Sequence, residues 1–367
     1  MTPLSDRALN RATLARQLLL QRSSMSALDA LEHLVGMQAQ APFPPYYGLW
    51  SRLEHFTADE LSGLLLDRRA VRIVLMRGTI HLVTAADAHR LRPLVQPLLD
   101  RMLRAMHGAA LGDVDVDAVA ATAAEILDAE ALTPAELGSR LAQRWPDCPL
   151  RALTEIGRSL VPLVQVPPRA LWQRSGQVRL TTAAGWLGPP TETLSVDDLV
   201  LRYLGAFGPA SVADMQTWSG LTRLGEVFDR LSDRLIRLQT DSGRRVYDLP
   251  DAPRPDPDQH APVRLVAAFD NLVLSHADRT RVLSDAHRKR LFAGGNGVFP
   301  GTVLVDGFVA GTWELEGRAA ATAMRVTPYT ELADTTLAEI EAEGIRLLRN
   351  AFDAEDPIVS FSLDRGA

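Results

Sequence analysis

The order of elements between Ser195 and about Pro250 leaves this chain few folds to choose from. "SVDDLVLRYLGAFG" has a serine cap, apolar residues at helical spacing and a glycine stop. "ASVADMQTWSG" and "LTRLGEVFDRLSD" follow as two further helices, and the strand-like pieces "LIRLQT" and "RRVYDLP" flank Asp241-Ser242-Gly243, a hairpin turn signal. Three helices and a two-stranded wing make a winged helix-turn-helix. The same order occurs twice more. "NRATLARQLLLQR" and "SALDALEHLVGMQAQ" precede a helix at "TADELSGLLLDRRA", after which "VRIVLM" and "IHLV" flank Arg77-Gly78-Thr79. "TPAELGSRLAQRW" and "LTEIGRSLVPLVQV" lead to short strands around "ALWQRS" and "VRLTT". Three tandem winged-helix units are expected, at 1–110, 111–190 and 191–258, alike in element order rather than in sequence. The proline-rich "PDAPRPDPDQHAP" ends the third as a linker. Beyond it "VRLVAAFD", "GTVLVDGFVAGTWELE" and "AATAMRVTPY" alternate like antiparallel strands, and "LADTTLAEIEAEGIRLLRNAF" is a long closing helix. A C-terminal antiparallel β/α module over 259–367 completes an α+β chain.

With 367 residues, 46% of them hydrophobic, the chain can bury a sizeable core. Its net charge of −6 argues against a general nucleic-acid coat protein, but the charge is unevenly spread. Eight arginines lie between Arg68 and Arg104 against Asp87 and Asp100, whereas Asp113 to Glu136 holds seven acids and no base. Such segregation either gives an acidic protein one basic face, as DNA binding requires, or marks ordinary solvated helix faces. One cysteine, Cys148, permits no internal disulfide and no cysteine-based zinc site. No apolar run approaches the roughly 20 residues that span a bilayer, and "MTPLSDRALNRA" lacks the pattern of a signal peptide. A cytoplasmic protein without a membrane contact is expected.

Several chemistries find little support. The eight histidines are scattered, with no HExxH, so no metal or other cofactor is expected. "GGNGVFPG" precedes a strand rather than opening a helix, which favours a turn over a phosphate cradle. No G-x-S-x-G elbow exists, and Cys148 has no histidine near it in sequence. Lys289 is the only lysine, in a setting, "HRKRLFAGG", that matches neither a P-loop nor a Schiff-base motif. Asp270 in "FDNLVLSHADRTR" is either a catalytic carboxylate or, more in keeping with Asp-Asn after a strand, a turn or cap.

Gln38 and Gln40 stand apart in "GMQAQAPFPPYYGLW". On a continuous helix, residues two apart point about 200° apart around the axis and could not share a target. Pro42, Pro44 and Pro45 remove backbone donors and push Ala41 away from helical geometry. If the chain is already extended at Gln40, the two carboxamides can converge. Taken alone, such glutamines also serve to satisfy loose carbonyls at a helix end.

"LNRATLARQLLLQR", "LVGMQAQAPFPPYYGLWSRL", "LMRGTIHLVTAADAHRLRPL", "FDNLVLSHADRTRVL" and "VLVDGFVAGTWELE" together resemble the winged-helix DNA glycosylases of the AlkZ and YcaQ type. The resemblance runs in order over nearly the whole chain. It is closest to the AlkZ branch, associated with self-resistance to crosslinking natural products such as azinomycin B. Gln38-Ala39-Gln40 matches the glutamine-x-glutamine signature of that branch, whereas the YcaQ branch has an aspartate at the second position. The resemblance implies hydrolysis of the N-glycosidic bond of N7-alkylguanine, including the unhooking of interstrand crosslinks, on double-stranded DNA and without an obligate protein partner. N7 alkylation makes the base cationic, so it departs neutral with little need of a general acid. What remains is to hold a water against the anomeric carbon and to disperse charge on an oxocarbenium-like sugar. A carboxamide both accepts and donates hydrogen bonds. Gln40 is assigned to the water and Gln38 to water or sugar orientation, in roles that can be exchanged. With no good Schiff-base lysine, a monofunctional enzyme leaving an abasic site is expected. A crosslinked base cannot swing fully into a closed pocket, so the three winged helices should form an open, concave surface.

Proximity and charge add a binding set. Tyr46, Tyr47 and Trp50 could stack on base or drug, and Arg52, Arg72, Arg77 and His81 could contact phosphate or enter a groove from the first wing. A transcription regulator, which would prefer one sequence and leave DNA intact, is the alternative from another class. A third is a protein that sequesters the free crosslinker.

Overall fold

The computed structural model describes residues 3–190, 192–292, 299–317 and 321–362. Most of the glycine-rich "GGNGVFPG" lies outside them. Among the described residues no helix is long and apolar enough to cross a membrane.

The first unit opens with α1 (Asp6–Arg16) and α2 (Ala27–His33), each started by a serine whose hydroxyl accepts a backbone N–H. Helix α2 stops well before the prolines, at Val35 and Gly36, whose φ values of 53° and 85° are left-handed. The sequence led us to expect helix up to the glutamines; the break comes earlier. Met37 and Gln38 form strand β1, and the prolines instead start α3 (Pro44–Arg52), occupying first-turn positions where no N–H is needed. Then come α4 (Ala58–Leu66), β2 (Ala70–Val74), a single 3-10 turn over Met76–Gly78, β3 (Ile80–Thr84) and the 27-residue α5 (Ala85–Leu111).

In the second stretch α6 (Val116–Ala129), α7 (Pro134–Ala142) and α8 (Leu150–Leu160) precede β4 (Leu163–Gln165), β5 (Leu180–Thr182) and α9 (Ala183–Leu187). Here the expectation needs correction. The chain is a strand at Leu163–Gln165, where a continued helix was expected, and the "ALWQRS" segment is turns. Pro162 accounts for the first difference, because a proline cannot extend α8. The wings of the two stretches also merge. Strand β2 pairs antiparallel with β4, placing Arg72 opposite Gln165, and the sheet runs β1-β3-β2-β4-β5.

The third stretch has the expected order: α10 (Val196–Phe207), α11 (Val212–Ser219), α12 (Gly225–Arg230) and the hairpin of β6 (Ile236–Gln239) and β7 (Arg245–Asp248). After the loop come β8 (Arg264–Val266), α13 (Asn271–Leu274), α14 (Asp285–Leu291), β9 (Gly301–Val305), β10 (Phe308–Glu316), β11 (Ala323–Pro328), α15 (Asp334–Phe352) and β12 (Val359–Phe361). The sheet order is β12-β11-β10-β9-β8. Its β12 runs parallel to β11, not antiparallel as expected, because α15 forms the crossover between them.

Two cores meet at β1. Met37 and Ala39 join Tyr46, Trp50, Leu265, Trp313 and Leu347, so α3, β8, β10 and α15 share one apolar cluster. Val35, Ile73, Val83, Tyr203, Phe207 and Trp218 form another, which packs the opposite face of the sheet on the third stretch. Strand alternation therefore sends Ala39 into one core and leaves Gln38 and Gln40 for the other side of the chain.

Candidate active site

Strand β1 hydrogen-bonds to β3 with Gln38 opposite His81, and Ala39 donates to the Ile80 carbonyl at 2.7 Å. Both glutamine side chains then bond to the β2–β3 hairpin. Gln38 Oε1 accepts from Arg77 Nη2 at 2.7 Å, and Gln40 Oε1 accepts from the Ile80 backbone N–H at 3.3 Å. Neither Nε2 amino group has a protein acceptor among the described residues. Gln38 is 7% exposed and Gln40 lies at the surface. Two neutral carboxamides thus present N–H donors while their carbonyls are held by the same hairpin, three residues apart.

Arg77 is the keystone of this arrangement. Besides Gln38, its Nη2 donates to Asn271 Oδ1 at 2.9 Å and its Nη1 to the Trp218 carbonyl at 2.7 Å. Burial, with Arg279 adding a like charge, lowers its pKa to about 10, still far above neutrality. Asn271 Nδ2 in turn faces the Gly36 carbonyl at 3.4 Å. Three non-glycine residues that border these groups have left-handed backbones: Val35 at φ 53°, Arg77 at 58° and Phe269 at 61°. A β-branched valine in that region is a steric outlier, and such positions collect around functional sites. Gly36 shows why the chain is committed here, since a Cβ on it would stand 2.5 Å from Val83 Cγ1.

A cleft next to Gln38 is lined by Gln17, Pro44, Arg52, Asp270 and Asn271 among others. Asp270 is not free for proton transfer. It caps α13 by accepting from Leu272 N–H, and its carboxylate is held bidentate by Arg52, both contacts at 2.9 Å. The cap reading of the Asp-Asn pair is the one the geometry supports.

Most of the expected DNA-contacting set turns out to be interior, because the segment bearing it is the packing face of α3 and the central strands. Tyr46 and Trp50 are 1% exposed, with the Tyr46 hydroxyl donating to the Ala170 carbonyl at 2.8 Å. Arg52, at 1%, is spent on Asp270. Arg72, at 2%, donates to the Ala39 carbonyl at 2.6 Å. His81 is fully buried; burial and then Arg77 push its pKa down to about 3, so it is neutral and has no path to a phosphate. Arg77 bonds to protein groups. Tyr47 is half-buried in an aromatic group with Trp50, Trp172 and Trp313, and burial raises its hydroxyl pKa. The exposed cations of the arginine-rich stretch are instead Arg68, Arg69, Arg101 and Arg104. Asn271 was missed in the sequence, although it sits inside a quoted block. Its only sequence signal was adjacency to Asp270. Among the described residues no group of three His, Cys, Asp or Glu side chains could hold a metal ion.

A mixed α/β chain with two strand-anchored glutamines finds its class in comparison with known proteins. The family model described as DNA glycosylase AlkZ-like matches residues 31–350, and the chain belongs to that family. It is accordingly a DNA glycosylase, with DNA as its substrate. Over 360 residues it is 25% identical to an interstrand DNA cross-link repair glycosylase of Streptomyces sahachiroi, covering 91% of this chain and 93% of that one. Its fold is similar to the solved structure of Streptomyces sahachiroi DNA glycosylase AlkZ, with a TM-score of 0.81 at 22% identity over 98% of this chain and 100% of that chain. The regulator reading gives way to an enzyme.

Proposed function

We propose that the chain excises N7-alkylguanine from double-stranded DNA, unhooks interstrand crosslinks at that position and leaves an abasic site, acting in the cytoplasm in self-resistance to a DNA-alkylating natural product. The observation that carries this reading is the pair of carboxamides anchored through their oxygens to one hairpin, each with a free amino group. The name of the Streptomyces relative supports the crosslinked substrate.

In this scheme the C1′–N9 bond breaks with its electron pair passing to the cationic base, which leaves neutral. A water oxygen bonds C1′ and its proton is lost to solvent. Gln38 and Gln40 are not equivalent in this step. Arg77 draws electron density from the Gln38 carbonyl, which makes Gln38 the better donor and suits it to orient sugar or water oxygens. Gln40 Oε1 receives a neutral backbone N–H and keeps its second lone pair for a hydrogen bond from the attacking water. Arg77 and Asn271 position Gln38 without touching substrate. Asp270, committed to Arg52, takes no proton.

Three units at 1–110, 111–190 and 191–258 forming a concave face, with the module at 259–367 adding Asp270 and Asn271 beside Gln38, would admit a duplex that cannot be flipped out completely. Tyr47 is the one member of the aromatic set kept as a base-stacking group, and Arg68, Arg69, Arg101 and Arg104 take over the phosphate contacts. Incubation with duplex bearing N7-methylguanine, followed by alkali, tests the reading. Released base and alkali-labile sites are expected. Intact DNA on both methylated and crosslinked substrates would refute it.

A further inference from the structure

A second cavity, on the other side of the Q-x-Q strand, has no part in that scheme. It encloses ≈ 250 Å³ among Arg72, Ile80, Arg158, Leu163, Gln165 and Val178. That is just below the roughly 300 Å³ at which pockets for drug-sized ligands begin, so its occupant is fragment-sized. Two buried polar side chains in its wall are unsatisfied. Among the described residues Arg72 has no acceptor for Nε or Nη1, and Gln165 Oε1 has no donor, although the two residues face one another across the β2–β4 ladder. Arg72 is 2% exposed and Gln165 9%. Buried guanidiniums and carboxamides are almost always bonded, and in this arrangement two donor nitrogens of Arg72 and one acceptor oxygen of Gln165 are open to a ligand.

Two residues of the cavity wall also support the Q-x-Q segment. Ile80 forms part of its wall and supplies the N–H that holds Gln40, and Arg72 Nη2 grips the carbonyl of Ala39 between the two glutamines. Its charge is lopsided. Arg158 pairs with Glu155, but among the described residues no carboxylate lines the cavity and none bonds Arg72, and, beyond burial, the charge that lowers the Arg72 pKa is the like charge of Arg169. A cation would be repelled here, and a neutral ring with a carbonyl and an N–H would be welcome.

We infer that this cavity binds the base released from a monoadduct, which, unlike an unhooked crosslink, is not tethered to the opposite strand: Arg72 donates to a carbonyl of neutral N7-alkylguanine and Gln165 Oε1 accepts a ring or amino N–H. The inference rests on the excision reading above and adds a consequence to it. The site discriminates substrate from product by charge, since the same ring is a cation before the glycosidic bond breaks and neutral afterwards. It is a place for the product, and the intact nucleotide does not enter it.

Calorimetric titration of the full chain at about pH 6 with 7-methylguanine and with the cationic 7,9-dimethylguaninium tests this, the two differing by one methyl group and one charge. Saturable 1:1 binding of 7-methylguanine is expected, with the cation at least about tenfold weaker. Gln165→Leu should weaken base binding by about tenfold at an unchanged melting temperature. If that variant fails to fold, Arg72→Lys, which keeps the charge and loses Nε, should weaken binding likewise. No saturable binding, as in a cavity filled by water alone, would overturn the inference, as would equal binding of base and cation or wild-type binding by the folded variants. Base release from DNA is measured separately. Release without binding of 7-methylguanine overturns the product site alone, and binding without release overturns the excision reading alone.

Discussion

Arg77 Nη2 lies 2.7 Å from Gln38 Oε1 and 2.9 Å from Asn271 Oδ1, so a single cation joins the β2–β3 turn, strand β1 and the start of α13. It does so from a left-handed backbone and, among the described residues, with no carboxylate partner. This gives Arg77 a positioning role in place of the phosphate contact its place in a wing suggested. Arg77→Ala should reduce single-turnover excision by about 100-fold, the order lost when a reacting group drifts by an ångström. The slope of log affinity against log salt should stay at the wild-type value, since no phosphate contact is removed. A shallower slope would restore the arginine to the DNA surface.

The Arg52–Asp270 pair should behave as a structural element. Asp270→Ala leaves a buried guanidinium uncompensated and should cost about 3–5 kcal/mol in urea unfolding. Replacing both, as Arg52→Met with Asp270→Leu, should recover much of that loss. A stable Asp270→Ala variant that had lost excision alone would argue instead for a catalytic carboxylate.

Acid should weaken the fold well before carboxylates protonate. Burial and Arg77 hold His81 near pKa 3, and burial with Arg281 pushes His276 down as well. In the unfolded chain both histidines bind protons below about pH 6.5, whereas folded His81 resists until about pH 3. The unfolded state therefore holds more protons throughout that window, and stability falls as pH drops through it. At pH 5 the loss should be about 2 kcal/mol from His81, with His276 adding to it. Urea denaturation at pH 7, 6 and 5 measures it. A flat profile would mean that both rings take up protons in the folded state as readily as in the unfolded one.

Gly36→Ala tests the commitment of the backbone beside Gln38. Its φ of 85° and the 2.5 Å approach of a new Cβ to Val83 Cγ1 leave a side chain no room. Strain of about 1–3 kcal/mol is expected, with excision falling further than stability explains because β1 must shift. Full activity at full stability would show that the turn is not coupled to the site.

What could be read from the sequence follows from what local signals encode. The caps Ser5, Ser26, Thr57, Ser195 and Ser211 and the turn at Asp241-Ser242-Gly243 act within a few residues, so helices and the third wing were legible. The joining of two wings through Arg72 and Gln165 is a pairing over more than ninety positions, which no local pattern announces. The glutamines were legible as an extended pair, but for a partly mistaken reason: the prolines start α3, while Val35 and Gly36 end α2. The interior position of Arg72 and His81 was not legible because arginine and histidine in a strand say nothing of which face is covered. Arg72 and His81 lie on β2 and β3, inside the sheet shared by two cores.

Gln40 is assigned to carry the water to the anomeric carbon, and a single pair of variants decides that assignment. Wild type and Gln40→Ala are assayed under single turnover on the same N7-methylguanine duplex, with DNA affinity measured in parallel. The side chain is exposed and holds one backbone N–H, so the variant should fold and bind DNA like wild type while losing most base release. Undiminished release by a folded Gln40→Ala would contradict the account.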